Sequence, residues 1–454
     1  MTYLGPVISV LFIDVVARLL LKKYYPHAVL LIAGLGMLIV SEILGFQFPP
    51  LKNETGWVGF DLFRLMKESF GKTNAGVGLM IMAIGGFVAY IDKIGASDAF
   101  VNLALKPLSL LKKYPHITTV AVLPIGQLLF VCIPSAAGLS LLLMASIFPI
   151  LLKLGVSRIS AVSVITACTA FGIGPASAIT ASATQIAQED AINYFITEQL
   201  PLMLPMCVVL MITYYFVNRY FDKKLEIAAV KHEENASNQT KAPAFYAIIP
   251  ILPLLLLIVF SDLFQFFESP IVLDTTTAMF ISLFVGIVFE FFRVRNLKTV
   301  LESLSVFWNG MGNIFKTVVT LIIAADIFAK GLISLGFIDG LIAASQNLGL
   351  GAIGIALVMV IMIFLASMLM GSGNAAFFAF APLVPKIAAK FGIQTTTIIL
   401  PMNFAASMGR TVSPVAGVII ATSEIAGVST LDIVKRNLIP LVVALLFLLI
   451  YHFV

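Results

Sequence analysis

The stretch "IPSAAG" (133–138) decides how this chain folds, because it interrupts an apolar segment whose length does not suit a simple membrane span. That segment, 116–155, is too long for one spanning helix and a little short for two, since each needs about 20 residues. A second segment, 350–391, has the same length problem and carries "MGSGNAA" (370–376) at its middle. Each segment therefore predicts a re-entrant hairpin, whose irregular tip is tolerated at membrane depth only where it lines a cavity in the protein.

The overall composition indicates a polytopic membrane protein. Of 454 residues, 60% are hydrophobic and 11% are charged, whereas soluble proteins carry about 25% charged residues. Lys and Arg lie in short loops, so the net charge of +5 indicates membrane topology and no nucleic-acid partner. The three cysteines lie in apolar segments without CxxC spacing, which argues against a disulfide framework or a zinc site.

Further apolar runs divide the chain into two halves. They lie near 3–21, 27–45, 75–97, 157–188, 198–219, 244–264, 273–292, 313–336, 395–426 and 436–453. Shifts of 237 to 241 residues place Ser135 on Ser372, Pro175 on Pro414 and Asp98 on Asp339. Five spans and a hairpin form each half, and because five is odd the second half enters the membrane from the opposite side.

These patterns predict an all-α polytopic membrane protein with two inverted repeats of five transmembrane helices, each with a re-entrant hairpin. The first repeat covers 1–219 with its hairpin at 116–155. The second covers 244–454 with its hairpin at 350–391, and a cytoplasmic linker, 220–243, joins the two. We expect a fixed scaffold built from spans 1–3 of each repeat and a mobile transport domain.

The distribution of basic residues predicts the orientation. Most Lys and Arg clusters fall on one side, which should be the cytoplasm, so both termini are expected outside. The 46–74 segment is then a long external loop of mixed charge. Segments 98–113 and 337–348 are expected to be amphipathic helices along the membrane interface.

Four broken stretches should converge at the middle of the membrane. They are the two hairpin tips and the centres of two long spans, "CTAFGIGPASA" (168–178) and "AASMGRTVSPVAG" (405–417). A proline in each span frees backbone carbonyls from the helix ladder, and the starts of the half-helices present N–H donors. Such a site can hold a carboxylate and a small cation with few charged side chains.

Arg410 is the one basic residue in the second break. An arginine in hydrocarbon costs roughly 3 kcal/mol at the lowest estimate, so it requires a partner or a task. One interpretation is that it binds a dianionic substrate through its planar fork of donors. The alternative is a structural ion pair with Asp326 or Asp14. For Asp326 itself, an ion pair, a coupling-proton role and a wet crevice all stay open.

Small polar residues and glycines surround these breaks. Ser135, Ser372 and Asn374 are expected to cap the tips and also to contact substrate. Four hydroxyl residues are candidate donors to a ligand or to their own backbone: Thr169, Ser177, Thr411 and Ser413. Four glycines permit tight turns and expose main chain: Gly172, Gly174, Gly371 and Gly373.

Four stretches resemble the C-type anaerobic C4-dicarboxylate transporters, the DcuC family. They are "GGFVAYIDKIGASDAFVNLALKPL" (85–108), "KAPAFYAIIP" (241–250), "GSGNAAFFAF" (371–380) and "GRTVSPVAGV" (409–418), and the similarity runs over nearly the whole chain. The resemblance implies transport of succinate, fumarate and malate across a bacterial inner membrane, as efflux, exchange or cation-coupled movement. It also implies membership of the ion-transporter superfamily, a homodimer and an elevator-like mobile domain.

The resemblance also points to particular residues. It places substrate at Ser135, Ala136, Ala137, Thr169, Ser372, Gly373, Asn374, Arg410 and Thr411. Its candidates for the coupling cation, Na⁺ or H⁺, are Ser135, Gly138, Gly172, Gly174, Ser177, Gly371, Ser413 and Asp326. The sodium-coupled members of the superfamily carry Ser-Asn-Thr at both tips, whereas this chain has "PSAAG" and "GSGNA". This departure argues against a symmetric pair of sodium sites.

Three rival functions are weighed against a dicarboxylate carrier. A carrier of another organic anion or of an amino acid fits the architecture, but one basic residue without an acidic partner at the tips favours anions. An intramembrane enzyme would need a Ser–His pair, paired aspartates or an HExxH site, and the four histidines lie at span ends or in loops. A channel would show flux without counterflow. We therefore expect no enzyme and no cofactor, with membrane lipid and a small dicarboxylate as partners.

Overall fold

A computed structural model of the protein describes residues 4–46, 48–107, 114–224, 242–261, 271, 273–347 and 351–453. In the first half of this described chain the α-helices are α1 Leu4–Leu21, α2 Pro26–Ile43, α3 Val58–Thr73, α4 Leu79–Lys93, α5 Ala96–Ala104, α6 Pro115–Cys132, α7 Ala136–Ser146, α8 Phe148–Lys153, α9 Arg158–Ala167, α10 Ala178–Ala187, α11 Ala191–Asn193 and α12 Leu200–Lys224. The second half has α13 Leu252–Val259, α14 Thr275–Val294, α15 Leu297–Ile314, α16 Thr320–Ser334, α17 Phe337–Asn347, α18 Ala352–Met370, α19 Gly373–Phe380, α20 Val384–Phe391, α21 Thr395–Thr411, α22 Gly417–Ala426 and α23 Thr430–Phe453. Short π-helices at Asn74–Gly78, Tyr194–Gln199 and Phe315–Val319, and 3₁₀-helices at Ala244–Ile248 and Ala381–Leu383, complete these ranges, which contain no strand.

The helices are those of a membrane protein. Within the described ranges, nine continuous helical stretches are long and apolar enough to cross a bilayer. Many of their apolar side chains face outward, as lipid-facing residues do, while a single large apolar cluster fills the interior. The prediction of an all-α polytopic membrane protein is confirmed.

The prediction of a loop at 46–74 is wrong for most of its length. Val58–Thr73 is helical and continues through the π-helix into α4, which gives one 36-residue stretch, Val58–Lys93. Its charges obscured it, because α3 is amphipathic and buries residues such as Leu65 while exposing most of its charged ones. In the same way, the predicted span 313–336 begins earlier and belongs to a 38-residue stretch, Leu297–Ser334.

Two other predicted boundaries are also adjusted. Helix α12 continues to Lys224, so the first residues of the predicted 220–243 linker are helical, and residues 225–241 lie outside the described chain. The predicted interface helices are present as α5 and α17. Residues 108–113 and 348 of those two predictions also lie outside the described chain.

Elements of the two halves recur at constant spacing. The π-helices at Asn74 and Phe315 begin 241 residues apart, as do α5 and α17. Helices α6 and α18 begin 237 residues apart, and α10 and α22 begin 239 apart. These are the offsets at which the sequences of the halves match.

The helices pack into two groups. In one group α2 lies along α16 and α4 lies along α15; in the other, α18 lies along α21 and α12 lies along α23. The α2–α16 contact is close because a Cβ atom at Gly34 would stand 2.6 Å from the backbone nitrogen of Phe328. Small residues allow such close approach of membrane helices, whose association depends on van der Waals packing.

We expect Gly34→Ala to lower the melting temperature of the detergent-purified protein, because the added methyl group meets rigid backbone and overpacking costs about 1–3 kcal/mol. Gly312→Ala is the matched control, since nothing lies within 4 Å of a Cβ at that helical position. Alanine there should stabilise the helix slightly. Equal melting temperatures for the two variants would contradict the packing described here.

Candidate functional site

Each of the two predicted hairpins breaks at a capping serine. In the first, α6 ends at Cys132, and the Oγ of Ser135 accepts a hydrogen bond of 3.1 Å from the backbone N–H of Gly138 at the start of α7. In the second, the Oγ of Ser372 accepts a 3.2 Å bond from the N–H of Ala375 at the start of α19. Both serines cap their helices as expected. Because each oxygen accepts in the cap, each hydroxyl proton remains able to donate to a ligand.

The first long span is interrupted between α9 and α10. Gly172 adopts a left-handed conformation with φ of 63°, and its carbonyl has left the helix ladder. That carbonyl accepts hydrogen bonds from the Oγ of Ser177 at 2.8 Å and from the Nδ2 of Asn403 at 3.2 Å. The break in the first half is therefore held in place by α21 of the second half.

The two tips and the two breaks enclose one polar cavity of about 280 Å³. The first residues of three helices lie in its wall: Ala136 of α7, Ala178 of α10 and Gly373 of α19. Helix N-termini direct unpaired N–H groups and a partial positive charge toward the space before them. The cavity is thus built to attract an anion, and its volume suits a small one, since pockets for drug-sized ligands measure about 300–1,000 Å³.

Arg410 supplies the full positive charge of this cavity. It lies in the last turn of α21, where the negative end of the helix dipole stabilises a cation. Its Nη2 donates to the backbone oxygen of Thr169 at 2.6 Å, while its Nε is buried without a hydrogen-bond partner. One edge of the guanidinium is therefore fixed, and a donor remains free in a site that the cavity adjoins.

The alternative of a structural ion pair for Arg410 with Asp326 or Asp14 is wrong. Asp326 pairs with Lys330 one turn along α16 at 2.8 Å, and the Oγ of Ser69 donates to the same carboxylate at 2.6 Å. Asp14 pairs with Arg18 at 2.8 Å on α1. Of the three readings of Asp326, the ion pair is the one observed, and the residue lies outside the cavity.

The structure divides the residues predicted for the site. Nine of them line the cavity: Ser135, Ala136, Gly172, Ser177, Gly371, Ser372, Gly373, Asn374 and Arg410. Seven do not: Ala137, Gly138, Thr169, Gly174, Thr411, Ser413 and Asp326. Thr169 acts behind the wall through its carbonyl, and the buried Thr411 hydroxyl donates to the carbonyl of Ser407 at 2.9 Å.

Some lining residues carry no prediction from the sequence. They are Phe130, Pro134, Ala178, Ile179 and Ser407. Behind the cavity, Gln199 is fully buried, accepts from the N–H of Gly174 at 2.9 Å and donates to Asn403 at 3.1 Å. The signal for the two amides is in the sequence, because polar side chains inside apolar spans are expensive and serve a purpose.

A small polar cavity at the meeting point of broken apolar helices defines a membrane transport protein. The family model described as DcuC, C4-dicarboxylate anaerobic carrier, matches residues 4–454, and the chain belongs to this family. It is 34% identical over 453 residues to the anaerobic C4-dicarboxylate transporter DcuC of Escherichia coli K12, covering 99% of this chain and 96% of the relative. It is 35% identical over 434 residues to the probable DcuC of Vibrio cholerae, covering 95% and 93%.

Solved structures of other transporters share the fold. The YdaH transporter of Alcanivorax borkumensis matches with a TM-score of 0.61 at 15% sequence identity, covering 94% of this chain and 98% of that one. MtrF of Neisseria gonorrhoeae matches with a TM-score of 0.52 at 14% identity, covering 94% and 95%. At these identities the likeness concerns the fold alone.

The family settles several expectations from the sequence. The resemblance to the DcuC family is confirmed, and the protein is a transporter and not an enzyme. With its nine apolar helical stretches in the described ranges, it is a multi-pass protein of the inner membrane.

Proposed function

We propose that this protein is a secondary transporter that moves C4-dicarboxylates such as succinate, fumarate and malate across a bacterial inner membrane. Its family and the names of the relatives that it matches over nearly their whole length support this substrate class. The observation that carries the proposal is the free Nε of Arg410 beside an anion-attracting cavity. In our proposal the movement is an exchange or is coupled to Na⁺ or H⁺.

The proposed binding mode uses both halves of the cavity. One carboxylate meets Arg410 and the second tip, where Ser372 and Asn374 line the wall. The other meets Ser135 and the first break, where the N-termini of α7 and α10 begin. A four-carbon chain with a carboxylate at each end matches a small cavity whose donors lie on two sides.

We also propose the inverted-repeat architecture predicted from the sequence, with repeats 1–219 and 244–454 and hairpins at 116–155 and 350–391. The recurring offsets of 237 to 241 residues between equivalent elements support two repeats. The breaks at Ser135 and Ser372, each between two apolar half-helices, support the hairpins. Five spans in each repeat make the second repeat inverted and place both termini outside.

An elevator movement is the proposed mechanism. The packing supports two bodies, because α12 and α23 pack on α6, α9 and α21, whereas α2 and α4 pack on α16 and α15. The buried contact between Gln199 and Asn403 ties the first break to the second. In our proposal the tips and breaks move together past the scaffold, which also forms the homodimer contact.

The test is counterflow in proteoliposomes loaded with unlabelled succinate. We expect labelled succinate to accumulate transiently, and fumarate and malate to compete with it while a monocarboxylate such as lactate does not. Repeating the assay with and without Na⁺ identifies the coupling ion. Absence of succinate counterflow in the wild type would overturn the substrate class, and competition by lactate alone would favour another organic anion.

A further inference from the structure

The hydroxyl group of Ser407 has no hydrogen-bond partner among the described residues, although its side chain is fully buried in the cavity wall. Leaving a buried donor unpaired costs about 1–3 kcal/mol, so native proteins rarely do so without a reason. Neighbouring hydroxyls find partners: Ser367 donates to the carbonyl of Ala406 at 2.5 Å, and Thr411 donates to the carbonyl of Ser407 at 2.9 Å. The unpaired Oγ of Ser407 is therefore a local exception.

Ser407 and Arg410 lie on one face of α21. They are three residues apart, and residues at that spacing are neighbours on a helix surface. Both line the cavity, and each has a buried polar atom without a partner, Oγ in one case and Nε in the other. Two free donors thus lie side by side where the guanidinium is already fixed on Thr169.

The opposite wall leaves room for the Ser407 hydroxyl. A Cβ atom on Gly172 would collide with the Oγ of Ser407, so the glycine at the first break keeps this donor in contact with the cavity. The Gly172 carbonyl already accepts bonds from Ser177 and Asn403. Ser407 is thus held near the first break by shape, while its proton remains unused.

We propose that Ser407 is a substrate-binding residue that, with Arg410, holds one carboxylate of the substrate at two points. The Oγ of Ser407 donates to one carboxylate oxygen, and the Nε of Arg410 donates to the other. A carboxylate accepts such a pair because it has two equivalent oxygens, and hydrogen bonds to a charged group are the stronger ones. This inference rests on the proposed transport of dicarboxylates and adds a residue to the site.

Counterflow by Ser407→Ala tests the contact. We expect KM for succinate to rise about tenfold or more with the maximal rate retained, since a hydrogen bond to a charged group contributes about 1.5–3 kcal/mol. Ser282→Ala is the matched control, because that buried hydroxyl donates to the carbonyl of Ala278 at 2.7 Å on α14, outside the cavity. An unchanged KM in Ser407→Ala would overturn the proposal.

Labelling of Ser407→Cys with a small methanethiosulfonate reagent gives a second reading that does not depend on transport. We expect the introduced thiol to react and succinate to slow the reaction, with the wild type reporting the background from its three buried cysteines. Failure to label, or labelling that saturating succinate does not change, would overturn the role of Ser407. Wild-type protein without succinate counterflow would instead overturn the proposed function on which it rests.

Discussion

Arg410→Ala is expected to reduce succinate counterflow about 100-fold or more in a protein that still folds. Removing one partner of a buried charged contact costs about 2–5 kcal/mol, and each 1.4 kcal/mol corresponds to a factor of ten. The protein should keep its fold because, in the described chain, the guanidinium's hydrogen bonds go to Thr169 alone, with no acidic partner left behind. The measurement is initial counterflow rate, with size-exclusion chromatography to establish folding.

Two further variants make the Arg410 result specific. Arg410→Lys keeps the charge but loses the planar fork of donors, so we expect its transport to remain strongly impaired. Arg18→Ala removes an arginine from an exposed ion pair with Asp14 on α1, and should transport as the wild type does. Normal counterflow by Arg410→Ala would refute the assignment of this residue to the substrate.

Arg436→Met is expected to destabilise the protein by about 3–5 kcal/mol, because it leaves the carboxylate of Asp222 buried without its countercharge. The two side chains are 4% and 5% exposed, and their ion pair measures 2.9 Å. Arg436 also donates to Asn218 at 3.1 Å, and the hydroxyl of Ser160 donates to Asp222 at 2.7 Å. The cluster joins α9, α12 and α23, so its loss should loosen the body that carries the first break.

Thermal unfolding in detergent measures this effect, and Arg18→Met is the matched control. The Asp14–Arg18 pair has a similar distance of 2.8 Å, but its side chains are 73% and 51% exposed, so its loss should cost less than about 1 kcal/mol. Replacing Asp222 by Asn in the Arg436→Met background should restore part of the stability by removing the uncompensated charge. Equal melting temperatures for Arg436→Met and Arg18→Met would show that burial does not strengthen this pair.

Much of the fold follows from the sequence, and its errors have a common physical cause. Apolar length predicted the spans, and the small polar clusters at Ser135 and Ser372 predicted the two breaks with their caps. Helix α3 was missed because hydropathy does not detect an amphipathic helix of mixed charge. Packing against α16 and a buried face around Leu65 stabilise that helix, and such tertiary contacts leave little trace in composition.

The candidate site was predictable where function needs an unusual side chain and obscure where it needs a common one. Arg410 is conspicuous in an apolar span, but its anchor is the backbone carbonyl of Thr169 in the other half of the chain, which no sequence pattern marks. Ser407 resembles any helical serine until the structure shows that its hydroxyl is unpaired. The Asp326–Lys330 pair could have been found from the sequence, because residues four apart on a helix are neighbours.

The most direct test of this account is a cryo-electron microscopy structure of the protein in lipid nanodiscs with saturating succinate. The account predicts succinate density in the cavity between the two tips, with one carboxylate on the Nε of Arg410 and the Oγ of Ser407. It also predicts that the other carboxylate faces Ser135 and the first break. Succinate bound elsewhere, with this cavity filled by side chains or by water alone, would contradict the account.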